Sequence, residues 1–197
     1  MKILGVTGPS GAGKSLFGEC AMSFGIEVID ADKVYHSLLV PPSECLDELR
    51  KAFGDGIFTP SGELSREALG KIVFSDPEKL SLLNGTVLKV VLKKIRGMIS
   101  QLQRNGASCV IVDGPTLIES GFHKECDAVI SVLASKETRL NRIIARDNIS
   151  RERAEARIKA QNPDSFYVDA SNHIINNDGD REDFFRKAEL LLKDLMK

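Results

Sequence analysis

The chain has 197 residues, a formal net charge of −1 and a hydrophobic content of 42%, which is typical of an ordinary globular protein. The balanced charge gives no indication of nucleic-acid binding, and no segment reaches the roughly 20 apolar residues of a membrane span. The four cysteines and three histidines are scattered along the chain, which disfavours a disulfide framework or a zinc site. We therefore expect reduced thiols and a cytoplasmic protein, with no nucleic-acid, membrane or obligatory protein partner.

The first third of the chain predicts two strands and then a block of helices. Lys2–Thr7 is short, apolar and β-branched, which predicts a buried strand. A glycine-rich loop follows it, and then a helix that ends at Gly25. Glu27–Ile29 predicts a second strand, whereas residues 33–104 carry helical periodicity interrupted by proline and glycine and contain no convincing strand.

The remaining sequence alternates strands with helices. Ser108–Val112, Ala128–Leu133 and His173–Ile175 predict three more strands. Residues 136–161 predict two helices, with Ser150 as the N-cap of the second, and a last helix follows the final strand. This alternation predicts an α/β fold in which a five-stranded parallel sheet is covered by helices on both faces, giving three layers.

The loop Gly8–Ser15 matches the pattern G-x-x-x-x-G-K-[ST] in full. It lies between a predicted strand and a predicted helix, which is the context that this phosphate-binding motif requires. Backbone N–H groups of such a loop surround phosphate oxygens, and the helix N-terminus adds a favourable dipole. Lys14 is expected to reach the β- and γ-phosphates, and the Ser15 hydroxyl to bind Mg²⁺. The motif therefore predicts a nucleoside triphosphate, ATP, as ligand, but it does not identify the phosphoryl acceptor.

Three aspartates follow predicted strands, at the sheet edge where ligands bind in such folds. Asp30 and Asp32 end the second strand, and a carboxylate there can accept the proton of an attacking hydroxyl. The alternative is that one or both cap the next helix, and spacing alone does not favour Asp32 over Asp30. Asp113 follows the third strand and is a candidate Mg²⁺ ligand; its alternative is a solvated strand end.

Arginines cluster in the two predicted helices of residues 136–161. Arg139, Arg142 and Arg146 follow i, i+3, i+7 spacing and share one helical stripe. Arginine neutralises transferred phosphoryl groups through its planar fork of donors, and a helical pair that carries one or two arginines is typical of a kinase lid. The alternative, favoured for most of these arginines, is a solvated helix pair with surface ion pairs.

Taken together, these residues resemble the dephospho-coenzyme A kinase family, over nearly the whole chain. The resemblance depends on segments that are more specific than the phosphate loop alone, namely "GIEVIDADKV", "FGDGIFTPSGELSREALGKIVFSDPEKLSLLN", "VDGPTLIESG", "RLNRIIARDNISRERAEARIKAQ" and "HIINNDGD". It implies a P-loop, nucleoside-kinase-like fold with a helical acceptor-binding insertion and a helical lid. It also implies phosphorylation of the ribose 3′-hydroxyl of dephospho-CoA by ATP with Mg²⁺, the last step of CoA synthesis.

By position, the resemblance implies that Asp32 is the catalytic base and that Lys14 and Arg142 stabilise charge on the moving phosphoryl group. It places residues 1–32, 105–135 and 162–197 in a nucleotide-binding core, 33–104 in the acceptor domain and 136–161 in the lid. Ile175, Asn177 and Gly179 correspond to a turn against adenine, and Ser15 and Asp113 are the expected metal ligands. The nucleotide-binding residues expected are Gly8, Pro9, Ser10, Gly11, Ala12, Gly13, Lys14, Ser15, Leu16, Arg142, Arg146 and Asn177.

The sequence departs from the family pattern on the acceptor side. The family's His-Pro is replaced by Leu88-Lys89, and His36 stands where the family often has arginine. The segment P-L-L-F-E reads Pro115 to Glu119 as P-T-L-I-E. Two alternatives therefore accompany the main hypothesis: a related kinase that acts on another nucleoside or nucleotide, and a nucleotide-gated binding module.

Overall fold

The computed structural model describes residues 1–197 and is built on a five-stranded parallel sheet with strand order β2-β3-β1-β4-β5. The predicted α/β class is therefore confirmed. The strands are β1 (Lys2–Thr7), β2 (Glu27–Asp30), β3 (Cys109–Asp113), β4 (Ala128–Leu133) and β5 (His173–Asn176). The helices are α1 (Lys14–Ser23), α2 (Ala31–Ser37), α3 (Glu44–Phe53), α4 (Arg66–Val73), α5 (Pro77–Arg104), α6 (Lys136–Asp147), α7 (Arg151–Lys159), α8 (Asp164–Asp169) and α9 (Arg181–Leu195).

The central strands are buried on both faces of the sheet. All six residues of β4 and four of the five residues of β3 are buried. Such strands need a continuous apolar run rather than an alternating pattern. Phe17 of α1 and Phe184 of α9 are fully buried in the same core as the sheet.

The chain divides into two compact units. The first comprises Met1–Ile29 with Leu102–Lys197 and contains the sheet core. The second, Asp30–Gln101, has a core of its own in which Leu49 and Ile57 are fully buried. Since 33–104 holds no strand beyond one isolated bridge between Phe58 and Leu64, the predicted helical block is confirmed.

The predicted pair of helices in 136–161 is also confirmed. Asn148 adopts the left-handed conformation, with φ of 49°, where α6 ends. The Ser150 Oγ accepts a hydrogen bond from the Arg153 backbone N–H at 3.4 Å, which makes Ser150 the N-cap of α7 as expected.

The short helix α8 was not predicted from the sequence. The six-residue α8 follows Pro163 and buries Tyr167 alone, so it offers too little periodicity to be recognised from sequence. No helix of the structure is both long enough and apolar enough to cross a bilayer.

Candidate functional site

The predicted phosphate loop follows β1 and leads directly into α1, which begins at Lys14. Two of its positions require glycine, because the backbone has a positive φ and because a Cβ atom would collide with neighbouring atoms. Gly13 has a φ of 108°, and a Cβ there would lie 2.0 Å from the Asn177 Nδ2. Gly8 has a φ of 138°, and its Cβ would lie 2.2 Å from the Val132 carbonyl oxygen. These positions accept only glycine without a shift of neighbouring atoms.

Lys14 folds back over the loop. Its Nζ donates a hydrogen bond to the Gly8 carbonyl oxygen at 2.8 Å, so the two ends of the motif are joined by one side chain. This contact places a positive charge at the loop, beside the N-terminal end of α1. Both features favour the binding of an anion.

Arg142 and Asn177 also donate hydrogen bonds to carbonyl groups of the loop. The Arg142 Nη1 donates to the carbonyl oxygens of Gly11 and Ala12, both at 3.3 Å. The Asn177 Nδ2 donates to the Ala12 oxygen at 2.8 Å, and its Oδ1 accepts from the Arg142 Nη2 at 3.4 Å. Because the N–H and C=O of one peptide point in opposite directions, anchoring the carbonyls helps to fix the direction of the amides.

Asn177 and Ile175, which the resemblance assigned to a turn against adenine, are both buried. Asn177 is 2% exposed, and its backbone N–H donates to the Leu133 carbonyl oxygen at 2.8 Å. Its side chain contacts the phosphate loop, and Ile175 belongs to the sheet core. The side chain that reaches the loop is therefore Asn177.

Arg146 lies at the exposed side of the same loop. Its Nη2 donates to the Ser10 Oγ at 3.4 Å, while its Nε and Nη2 donate to Asp147 at 2.8 and 3.0 Å. The hydrogen bond with Asp147 raises the pKa of the Arg146 guanidinium.

Arg139 is the loop contact that sequence reasoning did not select as a site residue. Although it shares a stripe with Arg142 and Arg146, it is 4% exposed, and its Nε donates to the Ser10 carbonyl oxygen at 3.2 Å. The i, i+3, i+7 spacing was the available signal, since it aligns three arginines on one face of α6.

The surface ion pairs expected as the alternative for the arginine helices are present on α7. Arg151 donates to both carboxylate oxygens of Glu137 at 3.1 and 2.9 Å, and to Glu155 at 3.1 Å. Arg157 pairs with Asp147. The arginines of α6 thus contact the phosphate loop, whereas these two arginines of α7 form exposed ion pairs.

The two expected metal ligands lie at the same edge of the sheet. Ser15 is exposed in the first turn of α1, and Asp113 is the last residue of β3, where its Cα is in register with that of Val6. A hydroxyl and a carboxylate are oxygen donors of the kind that Mg²⁺ takes alongside phosphate oxygens and water. The residues present therefore fit the ion, although no group of three His, Cys, Asp or Glu side chains forms a metal site by itself.

In the second unit, the two candidate catalytic aspartates have different environments. The Asp30 Oδ1 accepts a hydrogen bond from the Lys33 backbone N–H at 3.0 Å, so Asp30 is the N-cap of α2, and its Oδ2 lies 3.3 Å from the Lys33 Nζ. Asp32 follows in the first turn of α2 and is exposed. Sequence spacing left open which aspartate caps the helix, and the capping residue is Asp30.

A cavity of about 170 Å³ lies within the second unit. Tyr35 and His36, three and four residues after Asp32, belong to its wall, as does Arg66 at the start of α4. The other lining residues are mostly apolar: Leu39, Leu64, Leu69, Gly70, Val73, Phe74 and Leu83.

Comparison with known proteins gives a consistent result. Residues 2–183 match the family model described as dephospho-CoA kinase. A dephospho-CoA kinase from Symbiobacterium thermophilum is 38% identical over 179 residues, covering 91% of this chain and 75% of the relative. The crystal structure of TT1252 from Thermus thermophilus is 31% identical with a TM-score of 0.80, over 98% of this chain and 97% of that one. A dephospho-CoA kinase structure from Campylobacter jejuni is 28% identical with a TM-score of 0.72, over 100% and 98%.

Proposed function

The chain belongs to the dephospho-CoA kinase family, and from this premise we propose that it phosphorylates the ribose 3′-hydroxyl of dephospho-CoA with ATP. The observation that carries the proposal is the phosphate loop, in which Lys14 bridges to Gly8 while Arg142 and Asn177 hold the carbonyl side. A loop fixed in this way is suited to a triphosphate, and a kinase requires one as donor.

Asp32 is the proposed general base. Since Asp30 takes the capping role, the Asp32 carboxylate is exposed at the start of α2 and is available to a substrate hydroxyl. It would accept the hydroxyl proton while the oxygen attacks the γ-phosphorus. Lys14 would stabilise the charge on the transferred phosphoryl group, and Arg142 would join it by exchanging the Gly11 and Ala12 carbonyl oxygens for phosphate oxygens.

Mg²⁺ is the proposed metal, with Ser15 and Asp113 as its protein ligands. When bound, such an ion neutralises phosphate charge. The oxygen chemistry of the two side chains and their placement after β1 and β3 support this assignment.

The cavity of the second unit is the proposed site for part of the acceptor. Tyr35 and His36 lie on the face of α2 that also carries Asp32, because residues three and four apart share a helix face. Its apolar wall suits the pantetheine arm of dephospho-CoA, and the Arg66 guanidinium suits its pyrophosphate. His36 is the departure from the family pattern noted above, and it belongs to this wall.

A coupled assay that follows ADP release tests the function. With saturating ATP and Mg²⁺, we expect ADP release to depend on dephospho-CoA and the product to carry the new phosphate on the 3′-oxygen. Adenosine, AMP and other nucleosides are assayed in parallel, because the altered acceptor positions motivate a related kinase as the second candidate. ADP at background level with dephospho-CoA, but above background with a nucleoside, would replace the first proposal by the second.

A further inference from the structure

We propose that Arg139 is a positioning residue that ties the phosphate loop to the end of the lid helix α7 through Ser10 and Gln161. The inference rests on the proposed function to the extent that the loop binds ATP. Residues 136–161 were predicted above to form the lid, and Gln161 is the last of them.

A closed ring of three hydrogen bonds carries the inference. The Arg139 Nε donates to the Ser10 carbonyl oxygen at 3.2 Å, and the Arg139 Nη2 donates to the Gln161 Oε1 at 3.0 Å. The ring closes where the Ser10 backbone N–H donates to the same Gln161 Oε1 at 3.0 Å. Both polar groups of the Ser10 peptide backbone are thus held by side chains that lie 129 and 151 residues further along the chain.

Burial makes Arg139 depend on these hydrogen bonds, because water cannot replace the lost acceptors. The Arg139 side chain is 5% exposed, so its guanidinium depends on protein acceptors in place of water. The remaining nitrogen, Nη1, donates to the Asp164 Oδ1 at 3.0 Å, and that carboxylate is 54% exposed. A charged donor group removed from water is fixed in place by these acceptors, and the planar fork sets their relative directions.

Arg139 also selects the orientation of the Gln161 amide. A guanidinium only donates, so the Gln161 atom that faces it must be the oxygen. The same oxygen then accepts from the Ser10 N–H. Without Arg139, the Gln161 oxygen would keep the Ser10 N–H as its donor, but the Ser10 carbonyl would lose its side-chain donor and Gln161 its link to α6.

The same residue supports the loop through its backbone. A Cβ added at Gly11 would lie 2.8 Å from the Arg139 carbonyl oxygen, so the first turn of α6 sits directly against the loop. Since Gln161 follows the end of α7 by two residues, the position of α7 and the shape of the loop are linked. We therefore expect Arg139 to affect ATP binding more than the chemical step.

The test compares Arg139→Met with Arg151→Met, a matched arginine that forms only exposed ion pairs with Glu137 and Glu155. The dissociation constant of a fluorescent ATP analogue is measured directly, without acceptor. We expect Arg139→Met to weaken binding roughly tenfold or more, as the loss of hydrogen bonds to a charged group implies, and Arg151→Met to leave it unchanged. At saturating ATP, kcat of Arg139→Met should stay within about threefold of wild type.

Two further variants keep the result decisive if Arg139→Met fails to fold. Arg139→Lys keeps the charge but not the fork and should weaken binding, whereas Gln161→Leu removes the shared acceptor and should weaken it to a similar degree. The double variant Arg139→Lys/Gln161→Leu should then be less than additive. Variants that melt earlier but bind the analogue within about twofold of wild type, when measured while folded, would overturn the proposal. Because analogue binding needs no acceptor, this result is separate from a failure of dephospho-CoA to react.

Discussion

At the scale of single residues, Asp30 and Asp32 show how two identical side chains take different roles. Asp30 is used by the backbone, since it caps α2 through the Lys33 N–H. Asp32, one position inside the helix, is exposed and has no part in the cap. The distinction follows from helix geometry, because the residue that precedes the first turn presents its side chain to the unpaired amides.

Paired substitutions at these positions separate stability from catalysis. Asp32→Asn should lower kcat by at least about 100-fold, the usual range for loss of a general base, and leave the free energy of unfolding nearly unchanged. Asp30→Ala should lower the free energy of unfolding by about 1 kcal/mol and retain most of the turnover. Steady-state kinetics and urea unfolding measure the two quantities. A variant of Asp32 that turns over at the wild-type rate would contradict the base assignment.

At the scale of elements, helix α6 depends on how its first turn is held. Ser135 is its N-cap and accepts from the Thr138 backbone N–H at 3.3 Å, while the Ser135 backbone N–H donates to the Asp178 Oδ1 at 2.8 Å. Asp178 immediately follows Asn177, which contacts the phosphate loop. The turn after β5 therefore fixes both the loop and the start of the helix that carries the three loop arginines.

This arrangement predicts that the ionisation of Asp178 makes the stability of the fold depend on pH. The Ser135 backbone N–H, with smaller contributions from the Ser135 and Thr138 hydroxyls and Arg142, lowers the pKa of the Asp178 carboxyl. A lowered pKa in the folded state means that the carboxylate stabilises the fold above its unfolded pKa of about 3.9, and that this stabilisation is lost as pH falls through the lowered value. Asp178→Asn keeps an acceptor oxygen but does not titrate.

We therefore expect the wild type to lose more stability than Asp178→Asn between pH 6 and pH 3, as measured by urea unfolding at each pH. The advantage of the wild type over the variant should shrink toward the acid end. If the free energies of unfolding of the two proteins fell equally between pH 6 and pH 3, the charge of Asp178 would contribute nothing to its contact with Ser135.

The secondary structure elements and the phosphate loop could be predicted from the sequence, whereas the burial of Arg139 could not. The glycine loop, the Ser150 cap and the break between α6 and α7 each depend on local chemistry within a few residues. Arg139 depends on acceptors contributed by Ser10 and Gln161, which are distant in sequence, and an arginine on a polar helix is by default exposed. For the same reason the capping aspartate could not be chosen from spacing, because the exact first residue of a helix is set by packing.

At the scale of the whole molecule, the environment of the four thiols changes their pKa values. Burial raises the pKa of every cysteine: Cys20, Cys45, Cys109 and Cys126. The largest effect is at Cys126, whose pKa is raised to about 12, first by burial and then by the negative charges of Glu125 and Asp127. A Cβ added at Gly5 of β1 would lie 2.9 Å from the Cys126 Sγ, so the thiol packs directly against the sheet.

This environment predicts that the fold loses stability in mild alkali through Cys126. An unfolded thiol has a pKa near 8.5, whereas burial raises the pKa of the folded Cys126 thiol to about 12. Its contribution is therefore fully present below about pH 8.5 and is lost as pH rises toward the folded value. Cys126→Ala cannot titrate and serves as the reference, since both proteins share all lysines and tyrosines. In urea unfolding at pH 7.5 and pH 10, the stability of the wild type should fall further than that of Cys126→Ala. Equal losses would mean that the thiol ionises as easily in the folded protein as in the unfolded chain.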